Sequence, residues 1–281
     1  MDNQLKKNFK QDTFNFIKMH GTSNDFVIID NRTSNVNGNI NYAKIAHRKT
    51  GIGCDQVIVI DKSTNADCFM HIYNADGSKV EMCGNGARCV AYLLIQEQKT
   101  KSVSIETTNR IIYGSQISQD QIQINMGNPK FHWKDIPLSK KCNTLNLPIV
   151  IEMVKHPVGV NIGNPHIVFF VQSINSIPLN KLGPILENHP LLSNKANIGI
   201  AEVISQNHIK LRVWERGVGE TSSCGSGACA AVVAAIRRKY TKNTVLVTLQ
   251  GGNLLISWKE NNSILMSGTV NYVFHGTYSN K

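Results

Sequence analysis

Apolar and polar residues alternate strictly along Gln121-Ile122-Gln123-Ile124-Asn125-Met126, the period of a strand with one face buried. The β-branched run Val57 to Ile60 also reads as strand. Thr244 to Leu249 and Leu254 to Trp258 flank Gly251-Gly252 in the pattern of a hairpin. Helices are clearest over 87–96 and 228–239, which are rich in Ala, Leu and Val and contain neither Pro nor Gly. The pattern therefore predicts many short strands and few helices. No apolar run approaches the ~18 residues of a membrane span, and Met1 to Lys10 is too polar for a signal peptide. The expectation is a cytoplasmic chain with no membrane association.

The pattern is also duplicated. His71 to Cys89 reads HIYNADGSKVEMCGNGARC, Arg212 to Ala230 reads RVWERGVGETSSCGSGACA, and a gapless alignment places Cys83 on Cys224. The same offset of 141 places Gln56 on Asn197, Tyr73 on Trp214 and Asn74 on Glu215. Nearer the start, Gly21 to Asp30 matches Asn161 to Val171, with Asn24 and Asn164 offset by 140. A period this long is not a solenoid unit of about 20–50 residues. It predicts two similar α/β domains: 14–128, with the last strand at 265–276 a candidate to join it, and 129–264. Residues 1–13 are expected to form a flexible extension.

A chain of 281 residues with 41% hydrophobic and 17% charged residues suits one large or two modest globular domains. The seven cysteines make an odd count without a C-x-x-C pair, which argues against a disulfide framework and a zinc site. A net charge of +11 would suit nucleic acid, but the basic residues are scattered and cluster only in short runs such as Arg237-Arg238-Lys239. No nucleic-acid partner is expected.

Each repeated cysteine lies on a glycine-rich turn that opens a helix. Free N–H groups there favour an anion, so a thiolate is expected to be stabilised, and the same groups can hold a carboxylate. Two equivalent cysteines in a duplicated fold suggest more than a nucleophile. Inversion of a carbon centre needs a proton removed from one face and delivered to the other, which two opposed acid/base groups accomplish. Cys68, Cys89, Cys142 and Cys229 are expected to be packing residues, and Cys54 to lie near the site without acting in it.

These segments resemble a known family. MHGTSNDF from Met19, GIGCDQ from Gly51, YNADGS from Tyr73, MCGNGAR from Met82, GNPH from Gly163, ERGVGET from Glu215 and SCGSGAC from Ser223 occur in the order found in the diaminopimelate epimerases, almost end to end. The resemblance implies a two-domain α/β (α+β) fold with the active site in the cleft between duplicated halves. It also implies a homodimer, and interconversion of LL- and meso-2,6-diaminopimelate with neither pyridoxal phosphate nor metal, on the route to lysine and peptidoglycan. By the same resemblance Cys83 and Cys224 are the acid/base pair. Asn24, Gln56, Asn74, Gly84, Asn85, Asn164, Asn197, Glu215, Arg216, Gly225 and Ser226 hold substrate, and His166 and Glu215 tune the thiols.

Thr22-Ser23 stands where Leu-Gly is common in the family, Cys54 for Ala, Ser226 for Thr, and Gly268-Thr269-Val270 for Gly-Pro-Ala. A proline or hydroxyproline racemase of the same fold is the nearest alternative. Arg216 in the ERGVGET run favours a substrate with a second charged end, which proline lacks. A thiol-redox protein is the alternative from another class, and it leaves the repeated polar residues unexplained.

Overall fold

The computed structural model describes residues 13–32 and 40–279, so most of the expected 1–13 extension lies outside the described residues. The chain divides into two compact units: one takes the described residues up to Ile124 and those from Thr269 onward, the other is Asn125–Gly268.

The first unit contains β1 (Thr13–Gly21), β2 (Asn24–Asp30), β3 (Gln56–Asp61), β4 (Cys68–Asn74), β5 (Lys79–Val80), β6 (Ser102–Glu106), β7 (Ile111–Gln116) and β8 (Gln121–Asn125). Its helices are α1 (Tyr42–Ala46) and α2 (Gly84–Gln98). The second unit contains β9 (Val150–Ile151), β10 (Val154–Lys155), β11 (Val158–Asn161), β12 (Pro165–Val171), β13 (Asn197–Ser205), β14 (His208–Glu215), β15 (Gly219–Thr221), β16 (Thr244–Leu249), β17 (Gly252–Trp258) and β18 (Ile264–Thr269). Its helices are α3 (Leu179–Glu187) and α4 (Gly225–Arg237). Strand β19 (Asn271–Ser279) pairs antiparallel with β1, from Thr13↔Ser279 to His20↔Asn271.

The repeat in the sequence is a repeat of topology. β2 and β3 are parallel with Phe26 opposite Gln56, and β12 and β13 are parallel with His166 opposite Asn197. β3 then pairs antiparallel with β4, as β13 does with β14. A short returning strand follows in each unit, β5 or β15, and then the helix opened by the repeated cysteine. The next strand lies parallel to the fourth, β6 to β4 and β16 to β14.

Burial on both faces explains the unbroken apolar runs of β2 and β3. Val27, Ile29, Val57 and Val59 join Phe14, Phe16, Ile45 and Cys54 in one core cluster. Phe26 and Ile58 face the start of α2, where a Cβ on Gly86 would lie 2.7 Å from Ile58 and 3.4 Å from Phe26. Helix α4 is buried without a break from Gly227 to Ala235, as an Ala/Val helix apolar on every side should be. Both cysteine-led helices begin three residues before the apolar segments that predict them, because their first turns are built from the glycines.

Helix α3 contains Gly183 and Pro184, residues that ordinarily punctuate a helix. It is held by Leu179, Leu182 and Leu186, which enter a core with Phe169, Ile198 and Ile200. The β1–β2 hairpin turns through Thr22 and Ser23, both left-handed at φ 58° and 60°. A β-branched residue there is strained. The buried Thr22 hydroxyl accepts a 2.6 Å hydrogen bond from Arg88 in compensation. No helix among the described residues is long and apolar enough to cross a membrane.

Candidate functional site

The residues named from the sequence fall into two groups, one in each unit. In the first, Cys83 is the N-cap of α2, and its sulfur accepts from the Gly86 amide at 3.4 Å. The thiol lies 3.7 Å from the Asn24 side-chain oxygen, to which it donates. Asn85, buried at the second helical position, donates to that oxygen at 3.4 Å. Gln56 and Asn74, opposed across β3 and β4, are joined by a 3.0 Å hydrogen bond from Gln56 Nε2 to Asn74 Oδ1. Gly84 is the first residue of the helix. Asn24, Cys83 and Asn85 thus meet directly, with Gln56 and Asn74 forming a second pair.

In the other unit Cys224 is the N-cap of α4, and Gly225 and Ser226 open the helix. Cys224 Sγ lies 3.7 Å from Ser226 Oγ. His166 Nε2 is 3.0 Å from both Ser226 Oγ and Asn164 Oδ1. Since a carbonyl oxygen only accepts, this nitrogen carries the proton. Burial first, and then the positive charge of Arg216, push the His166 pKa down to about 3, so the ring is neutral. Asn197 Oδ1 accepts from the Arg216 backbone amide at 2.8 Å, which shapes the turn after β14. The Arg216 guanidinium donates to Asn194 O at 3.1 Å and is exposed. Thr221 donates to Glu215 Oε1 at 2.5 Å, fixing that carboxylate beside Cys224.

One electrostatic expectation is corrected here. A cysteine at a helix start should favour the thiolate, yet Cys224 is held well above the ordinary thiol range. Burial is the larger cause, and the neighbouring Glu215 carboxylate adds to it. The hydroxyl of Ser226 and the Gly227 amide pull the other way and do not win. Cys224 therefore keeps its proton at rest. Burial also pushes Cys54 up to about 11, and Cys68 and Cys89 to about 12.

Three contributors escape the sequence reading. Asp55 accepts from Asn24 Nδ2 at 3.0 Å. Arg88, wholly buried, donates to Asn85 Oδ1 at 2.9 Å. Glu187 on α3 accepts from Trp214 Nε1 at 2.8 Å and from the Gly217 amide at 3.0 Å, anchoring the turn that carries Glu215 and Arg216. Asp55 and Arg88 lie inside the motifs GIGCDQ and MCGNGAR, so a signal existed, whereas Glu187 has none. Among the described residues no three His, Cys, Asp or Glu side chains gather in a metal-binding arrangement.

The chain is 56% identical over 265 residues to the diaminopimelate epimerase of Wolbachia sp. subsp. Drosophila simulans (strain wRi), covering 94% of this chain and 99% of that one. It is 44% identical over 262 residues to the diaminopimelate epimerase of Sphingopyxis alaskensis, covering 93% and 96%. Among solved structures, a hydroxyproline epimerase from Agrobacterium vitis has the same fold with a TM-score of 0.68, 12% identity and coverage of 96% and 93%. A phenazine biosynthesis protein from Bacillus anthracis has a TM-score of 0.67, 18% identity and coverage of 95% and 99%. The diaminopimelate epimerase family model matches residues 16–132 and 158–273, and the chain belongs to that family.

Proposed function

We propose that this chain interconverts LL- and meso-2,6-diaminopimelate by passing protons between substrate and the thiols of Cys83 and Cys224, one on each face of the reacting carbon. It is an amino-acid epimerase independent of pyridoxal phosphate. The observation that carries the mechanism is the duplicated placement of a cysteine as the N-cap of a glycine-opened helix, with the Asn24 amide oxygen beside the Cys83 sulfur and the Ser226 hydroxyl beside that of Cys224. One sulfur enters as thiolate and removes the α-proton, and the other delivers its own proton to the opposite face. Helix-start N–H groups from Gly84, Asn85, Gly225 and Ser226 hold the carboxylate next to the reacting carbon and stabilise the charge that develops there. Asn24, Gln56, Asn74, Asn164, Asn197, Glu215 and Arg216 recognise the amino and carboxylate groups, with Arg216 suited to the far carboxylate. His166 and Glu215 set the proton affinity on the Cys224 side.

The proposed protein is a cytoplasmic homodimer of the lysine and peptidoglycan route that takes a small molecule as its only substrate. Exposed Tyr272, Val273 and Phe274 on β19 support the dimer, since such side chains in a row on one strand are costly to leave in water.

Purified protein incubated with LL-diaminopimelate, after chelator treatment and with no cofactor added, should yield the meso isomer on chiral chromatography. Run in D₂O, the first meso product should carry deuterium at the inverted carbon, while remaining LL-substrate stays largely protiated. Early product that retained the substrate hydrogen would indicate one base serving both faces and would remove the two-thiol mechanism.

A further inference from the structure

Four polar side chains of the first unit are joined head to tail, with a fixed charge at each end. The Arg88 guanidinium donates to Asn85 Oδ1 at 2.9 Å, Asn85 Nδ2 donates to Asn24 Oδ1 at 3.4 Å, and Asn24 Nδ2 donates to Asp55 Oδ2 at 3.0 Å. The Cys83 thiol shares the acceptor in the middle, Asn24 Oδ1. Each amide has one oxygen and one nitrogen end, so a cation at one terminus and a carboxylate at the other permit a single sense for both.

Both termini are themselves secured. Arg88 is wholly buried and is held by Thr22 Oγ1 at the tip of the β1–β2 hairpin. Asp55 Oδ1 accepts from Arg48 at 2.7 Å, and Arg48 also clamps Asp25. Asp25 is further paired with Lys18, and the Asp25 backbone amide donates to Asp55 Oδ2 at 3.1 Å. Burial works against the charge of Asp25, but the hydrogen bonds from Arg48 and Lys18 outweigh it and hold its carboxyl well below the usual range.

We infer that Asp55 and Arg88 are positioning residues for the proton transfer at Cys83: together they force Asn24 to present its oxygen, and not its NH₂, to that sulfur. This rests on the reading of Cys83 as an acid/base group. The oxygen accepts from the thiol and so retains its proton, whereas an NH₂ in the same place would donate to sulfur and favour the thiolate. The second unit achieves its counterpart differently. Ser226 stands at the position of Asn85 and Cys229 at that of Arg88, and the partner of Asn164 Oδ1 is His166. The two thiols are therefore governed by unlike groups. The charged residues around the Cys83 chain are Arg88 on α2, Lys18 and Asp25 on the β1–β2 hairpin, and Arg48 and Asp55 between α1 and β3.

Asp55→Asn tests this without changing shape. Arg48 requires an oxygen on its side, and its charged, shorter hydrogen bond outweighs the Asp25 amide that donates on the other side, so the substituted side chain turns its NH₂ toward Asn24, and Asn24 inverts to accept from it. The rate of iodoacetamide alkylation, followed separately for Cys83 and Cys224 by peptide mapping, should then change at Cys83 alone. Its pH profile should move about one unit toward acid, roughly a tenfold rise near neutral pH. kcat/KM for epimerisation should fall about tenfold, and Asp55→Glu should restore much of the wild-type profile. Loosening of the fold would speed alkylation at every pH alike, which separates it from inversion of the amide. An unmoved Cys83 profile, a uniform rise, or an equal shift at Cys224 overturns the inference. Should Asp55→Asn fail to fold, Asp55→Ala gives the readout instead, because it takes the charged acceptor away from Asn24 Nδ2: an acid shift at Cys83 supports the inference and an unchanged profile overturns it. Alkylation needs no turnover, so inactivity of the wild type toward diaminopimelate would refute the functional reading while leaving this result standing.

Discussion

Alanine at Cys83 or at Cys224 is expected to reduce kcat/KM for epimerisation by about a thousandfold or more, because in the proposed mechanism either change removes the proton carrier from one face of the substrate carbon. The half-buried Cys142, whose sulfur donates to the Lys140 carbonyl, serves as the control. Cys142→Ala should retain activity within about twofold, as expected for a substitution remote from the chemistry. Conversion of LL- to meso-diaminopimelate by chiral chromatography measures the rates, and thermal unfolding verifies that each variant is folded. The pH dependence of kcat/KM should be bell-shaped, since one sulfur must be ionised while the other keeps its proton. Comparable losses in all three variants would return the cysteines to a structural role.

Gly183→Ala is expected to be the most damaging single methyl group in α3. The added Cβ would fall 2.3 Å from Cδ2 of the Trp214 ring and 2.5 Å from Cε3, inside any real contact distance. The indole cannot retreat freely, because its N–H is bonded to Glu187 and the same carboxylate anchors Gly217. Overpacking of this kind costs about 3 kcal/mol, and for a unit of this size the melting temperature should fall by about 6–12 °C. Activity should fall with it, since the displaced turn carries Glu215 and Arg216. Lys181→Ala, on the exposed side of the same helix, should stay within about 0.5 kcal/mol. Calorimetry that found the two variants equally stable would show that α3 can shift away from β14 at little cost.

How much of this could be read from the residues alone depended on how local the cause was. The alternation of β8, the hairpin around Gly251 and the Ala-rich α4 are set by neighbours in sequence, and they appear where periodicity predicts them. The duplication was legible because the polar residues of the two halves keep a common register, and β-pairing preserves that register in Phe26↔Gln56 and His166↔Asn197. Helix α3 was not legible. Gly183 exists to admit Trp214, a residue thirty-one positions away, and no local rule reports that need. The ionisation of Cys224 was misjudged for a similar reason. The helix start is a local feature that favours the thiolate, while burial and the approach of Glu215 are tertiary and prevail. Asp55 and Arg88 were visible inside motifs, but an Asp beside Gln56 and an Arg after Ala87 carry no sign of the amides whose direction they decide.

The pairing of β1 with β19 couples the two ends of the described chain, Thr13 with Ser279, and this inverts the order in which the units can be completed. Residues 125–268 are contiguous, so a growing polypeptide contains everything the second unit needs before the last strand has been made. The first unit begins earlier and finishes later: one side of β1 stays without its partner until 271–279 have emerged. During synthesis the N-terminal unit therefore carries an open sheet edge flanked by Phe14 and Phe16, the kind of edge that recruits foreign strands. Ribosome-stalled chains ending near Gly268 should then be the aggregation-sensitive species, with Cys83 on the half still waiting to close.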